Sequence, residues 1–299
     1  MQGAAAASAM RFALVHRTSY RFDRAVGLAP HEIRLRPAPH AQLRIDAYAL
    51  DVEPASRTLH WQQDPFANWV ARLTFPDRAS LLELRVELSG ELVDVNPFNF
   101  FVDPAAAGFP FAYAPMVRDA LAPYLDGSLA CNETADRRDD LLAGWVDAFR
   151  ATITPGEETI GLLVRLNRQL RGDVDYVVRE AQGVQGAAQT LALRSGSCRD
   201  SAWLLILILR RLGIAARFVS GYLLEFAADG DERDVGSLHA WAEAFVPGAG
   251  WIGLDPTSGL LAAGGHIPLA CAADSDMAAT VTGTTDVCTV TFDTAIDVR

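Results

Sequence analysis

The spacing of apolar residues changes about one third of the way along the chain, and this change restricts the fold more than any other feature. From residue 12 to about residue 95, apolar and polar residues alternate in segments such as RFALVHRTSYRF and LLELRVELSGELV, with Pro, Gly and Asp between them. Such alternation predicts half-buried antiparallel strands. Helical spacing then appears at residues 137–151 and 159–170. The predicted fold class is therefore α+β, beginning with an antiparallel β-sandwich-like domain.

The same change divides the chain into four predicted parts. Residues 10–95 form the N-terminal β-rich domain, and residues 96–135 form a proline-rich connector. A core of mixed helices and strands follows over residues 136–272. The tail, residues 273–299, carries one alternating segment at 287–292 that is expected to return to a sheet edge.

Composition excludes several classes of function. All 26 basic residues are arginine, so the chain has no lysine amine for Schiff-base chemistry or for a phosphate-binding loop. A net charge of −11 opposes binding to nucleic acid, because phosphate neutralisation needs a basic surface. The longest apolar run, residues 202–209, is too short to cross a bilayer, so no membrane partner is predicted. The N-terminal segment does not resemble a signal peptide, and either Met1 or Met10 could be the native start.

The cysteines indicate a reducing compartment. The chain has four of them, Cys131, Cys198, Cys271 and Cys288, which are far apart and form no C-x-x-C pair. This spacing is atypical of a disulfide framework or a zinc site, so we expect free thiols in a cytoplasmic protein. Three of the four are expected to be structural or incidental, with Cys198 as the exception.

Cys198 lies where a thiol can become reactive. Ser197 begins an apolar helix predicted over residues 197–212, and Asp200 completes a capping box. Cys198 is then the first helical residue, where free N–H groups and the helix dipole favour a thiolate. The dipole supplies at most ~2 kcal/mol, and Asp200 opposes it although Arg199 is expected to offset that charge. A reactive Cys198 therefore needs an imidazolium partner.

His239 and Asp255 are the candidates for that partner and for the group that orients it. His239 lies 41 residues after Cys198 on a predicted strand, and Asp255 lies 16 residues further, on the next strand of a hairpin. If Val246 pairs with Gly250, both side chains lie on one face of the hairpin. A register displaced by one residue would put them on opposite faces and exclude a triad.

Other polar and aromatic residues have weaker signals. His266 is expected in a glycine-rich loop, where it could flank the site. The tryptophans Trp203, Trp241 and Trp251 are expected to pack in the interior, with a substrate cleft as the alternative. The histidines of the first part of the chain are too dispersed to predict a metal site.

Several segments resemble a known family. GSCRDSAWLL, RRLGIAARFVSGYL and LHAWAEAFVPGAGWIGLDPTSGLL resemble the core of bacterial transglutaminase-like proteins, which are often described as cysteine proteases. HRTSYRFDRAVGLAPHEIRLRP resembles the β-rich N-terminal domain that precedes this core. The resemblance, over roughly residues 12–270, implies a papain-like or transglutaminase-like catalytic core. It further implies that Cys198 is the nucleophile, His239 the base and Asp255 the orienting residue.

The resemblance implies a thiol-dependent hydrolase that cleaves peptide or amide bonds through a thioester acyl-enzyme. Two alternatives stay open: a protein-glutamine transamidase, in which an amine resolves the thioester, and a non-catalytic binding or scaffold module. The oxyanion would be held by the backbone N–H of Cys198, with Gln189 as a candidate side-chain donor.

Partners and cofactors follow from the same considerations. The expected substrate is a peptide or protein amide, and the oligomeric state is left open. The stretch TSGLLAAGGHIPLAC resembles a subgroup in which this unit begins much longer proteins, so a ligase-type enzyme is a candidate partner. No EF-hand-like loop is present in the sequence, and neither a cofactor nor a metal is predicted.

Overall fold

A computed structural model describes residues 10–93, 96–127, 138–179, 181–226 and 234–299. Cys131 and Met1 lie outside these residues. The helices are α1 (Pro115–Ala120), α2 (Ala122–Leu125), α3 (Arg138–Arg150), α4 (Thr159–Asp173), α5 (Ala187–Leu193) and α6 (Cys198–Arg211). The strands are β1 (Met10–Val26), β2 (His31–Ile33), β3 (Leu43–Glu53), β4 (Thr58–Gln63), β5 (Trp69–Thr74), β6 (Ala79–Leu92), β7 (Gly108–Phe109), β8 (Glu157–Glu158), β9 (Asp175–Tyr176), β10 (Ser195–Gly196), β11 (Ala216–Glu225), β12 (Val235–Val246), β13 (Gly250–Asp255), β14 (Leu260–Leu261), β15 (His266–Ala272), β16 (Val281–Thr282) and β17 (Val290–Val298).

The alternating segments form antiparallel strands, as the sequence predicts. Every second residue of β6 is buried between Leu82 and Leu92, and this strand pairs with β1 on one side and β3 on the other. A second sheet has the order β16-β2-β5-β4. Side chains of both sheets meet in one buried cluster, which also contains Tyr222 and Ile267 from the second half of the chain. Packing is therefore continuous across the predicted domain boundary.

The C-terminal strand joins the two halves. β17 pairs with β1 from Leu14↔Val298 to Phe22↔Val290, and it contacts β12 at Val235↔Asp297. The tail therefore enters the sheet between β12 and β1 rather than at an edge, and its strand extends further toward the C-terminus than the predicted segment 287–292.

The connector contains helices that the sequence analysis did not predict. Pro115 lies in the first turn of α1 and Pro123 in that of α2, where a missing N–H is tolerated because that group would have no helical partner. Tyr113 fixes the connector to the core: its hydroxyl donates to the carbonyl of Phe245 at 2.8 Å and accepts the N–H of Ala215 at 2.9 Å.

α6 is the central helix of the second half, and its predicted span is confirmed to within a residue. All residues from Asp200 to Arg210 are buried, which matches the apolar run seen in the sequence. The helix packs against β11 and β12 and contacts α3, α4 and α5. A helix that is apolar on every side is stable only when it is enclosed in this way. Among the helices of the described ranges, none has the length and apolarity needed to span a bilayer.

Gly221 on β11 lets the backbone of β15 and the Trp241 ring pack directly against the strand. A Cβ atom there would lie 2.3 Å from the carbonyl oxygen of Ile267 and 2.5 Å from the Trp241 ring. We expect Gly221→Ala to lower the free energy of unfolding by about 1–3 kcal/mol, because a packed core resists added atoms. Urea unfolding followed by circular dichroism measures this loss.

Gly144→Ala is the matched control. Gly144 lies within α3, where a Cβ would meet nothing within 4 Å. Alanine is the better helix former by up to about 1 kcal/mol, so this variant should be as stable as the wild type or more stable. Equal stability of the two variants would contradict the close packing assigned to Gly221.

Candidate active site

Cys198 occupies the first position of α6, as predicted. Ser197 is the N-cap residue in extended conformation, and a capping box joins it to Asp200. Cys198 is half-buried, so its thiol is partly accessible. It forms no disulfide with another described cysteine. A thiol at a helix N-terminus experiences the positive end of the helix dipole.

Asp200 does more than cap the helix. Its carboxylate is fully buried and accepts hydrogen bonds from the N–H and hydroxyl of Ser197, both at 2.8 Å. The Arg179 guanidinium binds both of its oxygens at 2.8 Å, and the Gln185 N–H donates at 2.6 Å. Burial alone would raise the pKa of Asp200, but these donors outweigh burial and lower that pKa.

The cation that offsets Asp200 therefore comes from outside the helix. The expected residue, Arg199, instead donates to the carbonyl oxygens of Arg179 and Ala181, both at 3.1 Å. Arg179 lies in the segment after β9, which pairs in parallel with β10 directly before the helix. The sequence analysis missed this residue because the ion pair joins positions 21 residues apart.

The hairpin has the register that a triad requires. Val246 pairs with Gly250, so the prediction for β12 and β13 is confirmed. His239 and Asp255 consequently meet, with Nε2 of the imidazole 3.2 Å from Oδ2 of the carboxylate. Cys198 lies close enough to His239 to raise the pKa of the imidazole as well. Because Nε2 is directed at Asp255, Nδ1 is the atom left to face the sulfur.

Asp255 is held by groups from its own turn as well as by His239. Its side chain is buried, and Oδ1 accepts the N–H and the hydroxyl of Thr257 at 2.9 and 2.7 Å. The Ser258 hydroxyl donates to Oδ2 at 3.0 Å. Burial would raise the pKa of Asp255, but the hydrogen bonds from His239, His266 and Thr257 hold it far below its usual range. Asp255 is therefore a fixed negative charge.

This charge controls the protonation of His239. Burial alone would lower the pKa of the imidazole, but the hydrogen bonds and charges of Asp255 and Cys198 raise it to about 9. A histidine with that pKa is an imidazolium at neutral pH. An imidazolium beside Cys198 is the partner that stabilises a thiolate.

His266 is the principal site residue that the sequence analysis misplaced. It is the first residue of β15 rather than part of a glycine-rich loop, and its Nε2 lies 3.4 Å from Oδ2 of Asp255. Pro268 within this strand obscures the strand pattern. Among the strands of the described residues β15 pairs with β11 alone, and an edge strand tolerates proline.

The remaining candidates lie around the site or away from it. Trp203 and Trp241 are buried, as expected for packing residues. The half-buried Trp251 has the Arg217 guanidinium 4.3 Å from its ring centroid. Gln189, the candidate oxyanion donor, is exposed on α5. Burial raises the pKa of the Cys271 thiol, which fits a structural role.

Two groups of residues could offer ligands to a metal within the described ranges. The first group is His239, Asp255 and His266, and the second is His40, Glu243 and Cys271. Within each group the ligand atoms all lie within 4.8 Å of one another. In the second group Arg217 donates to Glu243 at 2.7 Å and lies 3.3 Å from Nε2 of His40, so a metal would have to displace a cation. The sequence analysis missed this group because His40 is far from the other two in the chain.

The raised pKa of His239 makes the stability of the protein depend on pH. Because the folded pKa of about 9 exceeds the ordinary value of 6.5, His239 stabilises the fold fully below pH 6.5, and this stabilisation disappears as the pH rises through 9. NMR titration of the His239 ring should therefore give a midpoint near 9. His239→Gln should cost stability at pH 6.5 and much less above pH 9. An NMR midpoint at or below 6.5 would contradict the assigned ion pair.

Comparison with known proteins identifies the two regions. Residues 12–91 match the bacterial transglutaminase-like N-terminal region, and residues 147–256 match the transglutaminase-like superfamily. The uncharacterized protein Rv2569c of Mycobacterium tuberculosis is 29% identical over 258 residues, which are 83% of this chain and 79% of the relative. The uncharacterized protein ML0607 of Mycobacterium leprae is 25% identical over 259 residues, which are 83% of each chain.

A solved structure has the same fold. The crystal structure of a protein from Cytophaga hutchinsonii, described as a candidate cysteine protease, superposes with a TM-score of 0.69. The similarity covers 98% of this chain and 91% of the other at 19% identity. Together with the two family matches, it shows that the resemblance noted in the sequence is correct. This chain is a bacterial transglutaminase-like protein, with its N-terminal region at residues 12–91 and its transglutaminase-like core at residues 147–256.

Proposed function

We propose that the protein is a thiol-dependent hydrolase that cleaves peptide or amide bonds. The observation that carries this proposal is the pairing of His239 with Asp255 at 3.2 Å, next to a helix N-terminal Cys198 that itself helps to raise the pKa of the imidazole. The transglutaminase-like core and the fold shared with a candidate cysteine protease support the same chemistry.

In the first half of the proposed reaction, the Cys198 thiolate attacks the carbonyl carbon of the amide. A C–S bond forms, and the carbonyl oxygen becomes an oxyanion. The His239 imidazolium then gives its proton to the leaving amine as the C–N bond breaks, and a thioester on Cys198 remains. Asp255 keeps the imidazole in the orientation and tautomer that this transfer needs.

In the second half, an acceptor resolves the thioester. Neutral His239 removes a proton from water, the resulting hydroxide attacks the carbonyl carbon, and the C–S bond breaks to release a carboxylic acid. In a transamidase the acceptor would be an amine, and that product would be a new amide. The triad serves both outcomes. Since the chain has no lysine, it offers no lysine acceptor of its own.

The oxyanion needs donors, and the N–H of Cys198 is the first one we propose. It belongs to the residue that opens α6, so it points from a helix N-terminus. Gln189 stays a second, weaker proposal, because its exposed side chain on α5 would have to move toward the substrate carbonyl.

The predicted cytoplasmic location and a ligase-type partner also stay proposals. Cys198, Cys271 and Cys288 are free thiols, as the proposed reducing compartment requires. The partner rests on the sequence resemblance alone.

Alkylation and turnover test the hydrolase directly. Iodoacetamide should label Cys198 rapidly at neutral pH, and wild-type protein should cleave at least one member of a panel of peptides, glutamine amides and isopeptides. We expect Cys198→Ala and His239→Ala to lower kcat by roughly 10⁶-fold, as for removal of the nucleophile or base of a comparable triad. Cys288→Ala is the matched control, because it removes a free thiol that packs against the cluster of the N-terminal sheets without touching the site.

Three outcomes separate the open functions. Release of free acid supports hydrolysis, whereas incorporation of a fluorescent amine, dependent on Cys198, would assign transamidation instead. A non-catalytic scaffold predicts a Cys198 thiol that is inert to iodoacetamide at neutral pH. Equal activity of wild type and Cys198→Ala on every substrate would overturn the proposed function.

A further inference from the structure

We infer that His266 is a positioning residue for this site: it holds the Asp255 carboxylate in the orientation that His239 needs. The inference rests on the proposed function. Oδ2 of Asp255 lies 3.2 Å from Nε2 of His239 and 3.4 Å from Nε2 of His266, so two imidazoles share one oxygen.

The hydrogen bonds of His266 fix its tautomer. Its Nδ1 accepts the backbone N–H of Ala263 at 3.3 Å, so Nδ1 carries no proton in that arrangement. The proton of the neutral ring must then be on Nε2, which faces Asp255. His266 is therefore a hydrogen-bond donor to Asp255 without having to be charged.

The surroundings keep the His266 ring in place. Trp241 meets it nearly edge to face, with ring centroids 5.1 Å apart, and the Trp241 centroid also lies 6.3 Å from that of His239. The backbone N–H of His266 donates to the carbonyl of Ala263 at 2.8 Å, and the strand pairs His266 with Leu223. The donor is thus held by a buried indole and by the sheet.

This arrangement explains how Asp255 keeps its direction. Thr257 binds Oδ1, while His239, His266 and Ser258 surround Oδ2, so every oxygen has a defined partner. Loss of the His266 donor would leave Oδ2 with fewer restraints and allow the carboxylate to rotate away from His239. The titratable groups that face His266 are Asp255 from β13 and His239 from β12.

Three substitutions distinguish positioning from space-filling. His266→Phe keeps a planar ring but removes the donor. His266→Gln retains an amide N–H that can reach Asp255, and it does not titrate. His266→Asn is polar but too short to reach, so it serves as a second donor-free variant if the phenylalanine variant fails to fold. Thermal unfolding of each variant shows whether the fold is intact.

We expect His266→Phe and His266→Asn to lower kcat by about 10–100-fold, the usual effect of losing a residue that orients a primary ligand or base. KM should stay unchanged, because His266 acts through Asp255. The pH at which rapid iodoacetamide labelling of Cys198 begins should shift upward, since a misdirected Asp255 would favour the His239 imidazolium less and the thiolate would lose part of its stabilisation. His266→Gln should restore both kcat and the labelling range.

Wild-type kcat and labelling profile in His266→Phe or His266→Asn would overturn the positioning role while leaving the proposed hydrolase intact. Failure of His266→Gln to restore either readout would overturn it as well. If wild-type protein shows no turnover that depends on Cys198, the hydrolase itself fails. The labelling profile still decides the role of His266 in that case, because iodoacetamide needs no substrate.

Discussion

Burial of α6 is the constraint on which the rest of the structure depends. The helix is apolar on every side and must be enclosed by the sheet and by other helices. The capping box of Ser197 and Asp200 sets where the helix begins, at Cys198, and the helix packs against β12. The strand under it carries His239, so a packing requirement brings thiol and imidazole together. The same strand forms the hairpin with β13, whose last residue is Asp255.

Two buried carboxylates have opposite effects on the sulfur, and their partners keep both useful. Asp200 caps the helix two residues after Cys198, in the same turn, where a bare negative charge would disfavour a thiolate. The bidentate Arg179 guanidinium offsets that charge. Asp255 is held by His239, His266, Thr257 and Ser258, and together with Cys198 it raises the pKa of His239 to about 9. Asp200 thus stabilises the start of α6, and Asp255 keeps His239 protonated.

Local patterns predicted most of the fold and the centre of the candidate site. Apolar spacing located α3, α4 and α6, and the turn between β12 and β13 fixed the register because Val246 pairs with Gly250. What could not be predicted depends on contacts distant in sequence. β15 contains a proline, which the sequence pattern reads as a break. A strand tolerates proline at a sheet edge, and that position becomes known only from the fold. Arg179 and His266 gain their roles from carboxylates that folding brings to them.

The most direct test of the central claim is to trap the acyl-enzyme. Wild-type protein is mixed with a cleaved substrate, quenched in acid within the first turnover and analysed by intact and peptide mass spectrometry. We predict an added mass equal to the acyl group, located on Cys198 and removed by hydroxylamine, as expected for a thioester. The adduct should be absent from Cys198→Ala. Turnover without any adduct on Cys198, or an adduct on another residue, would contradict the account.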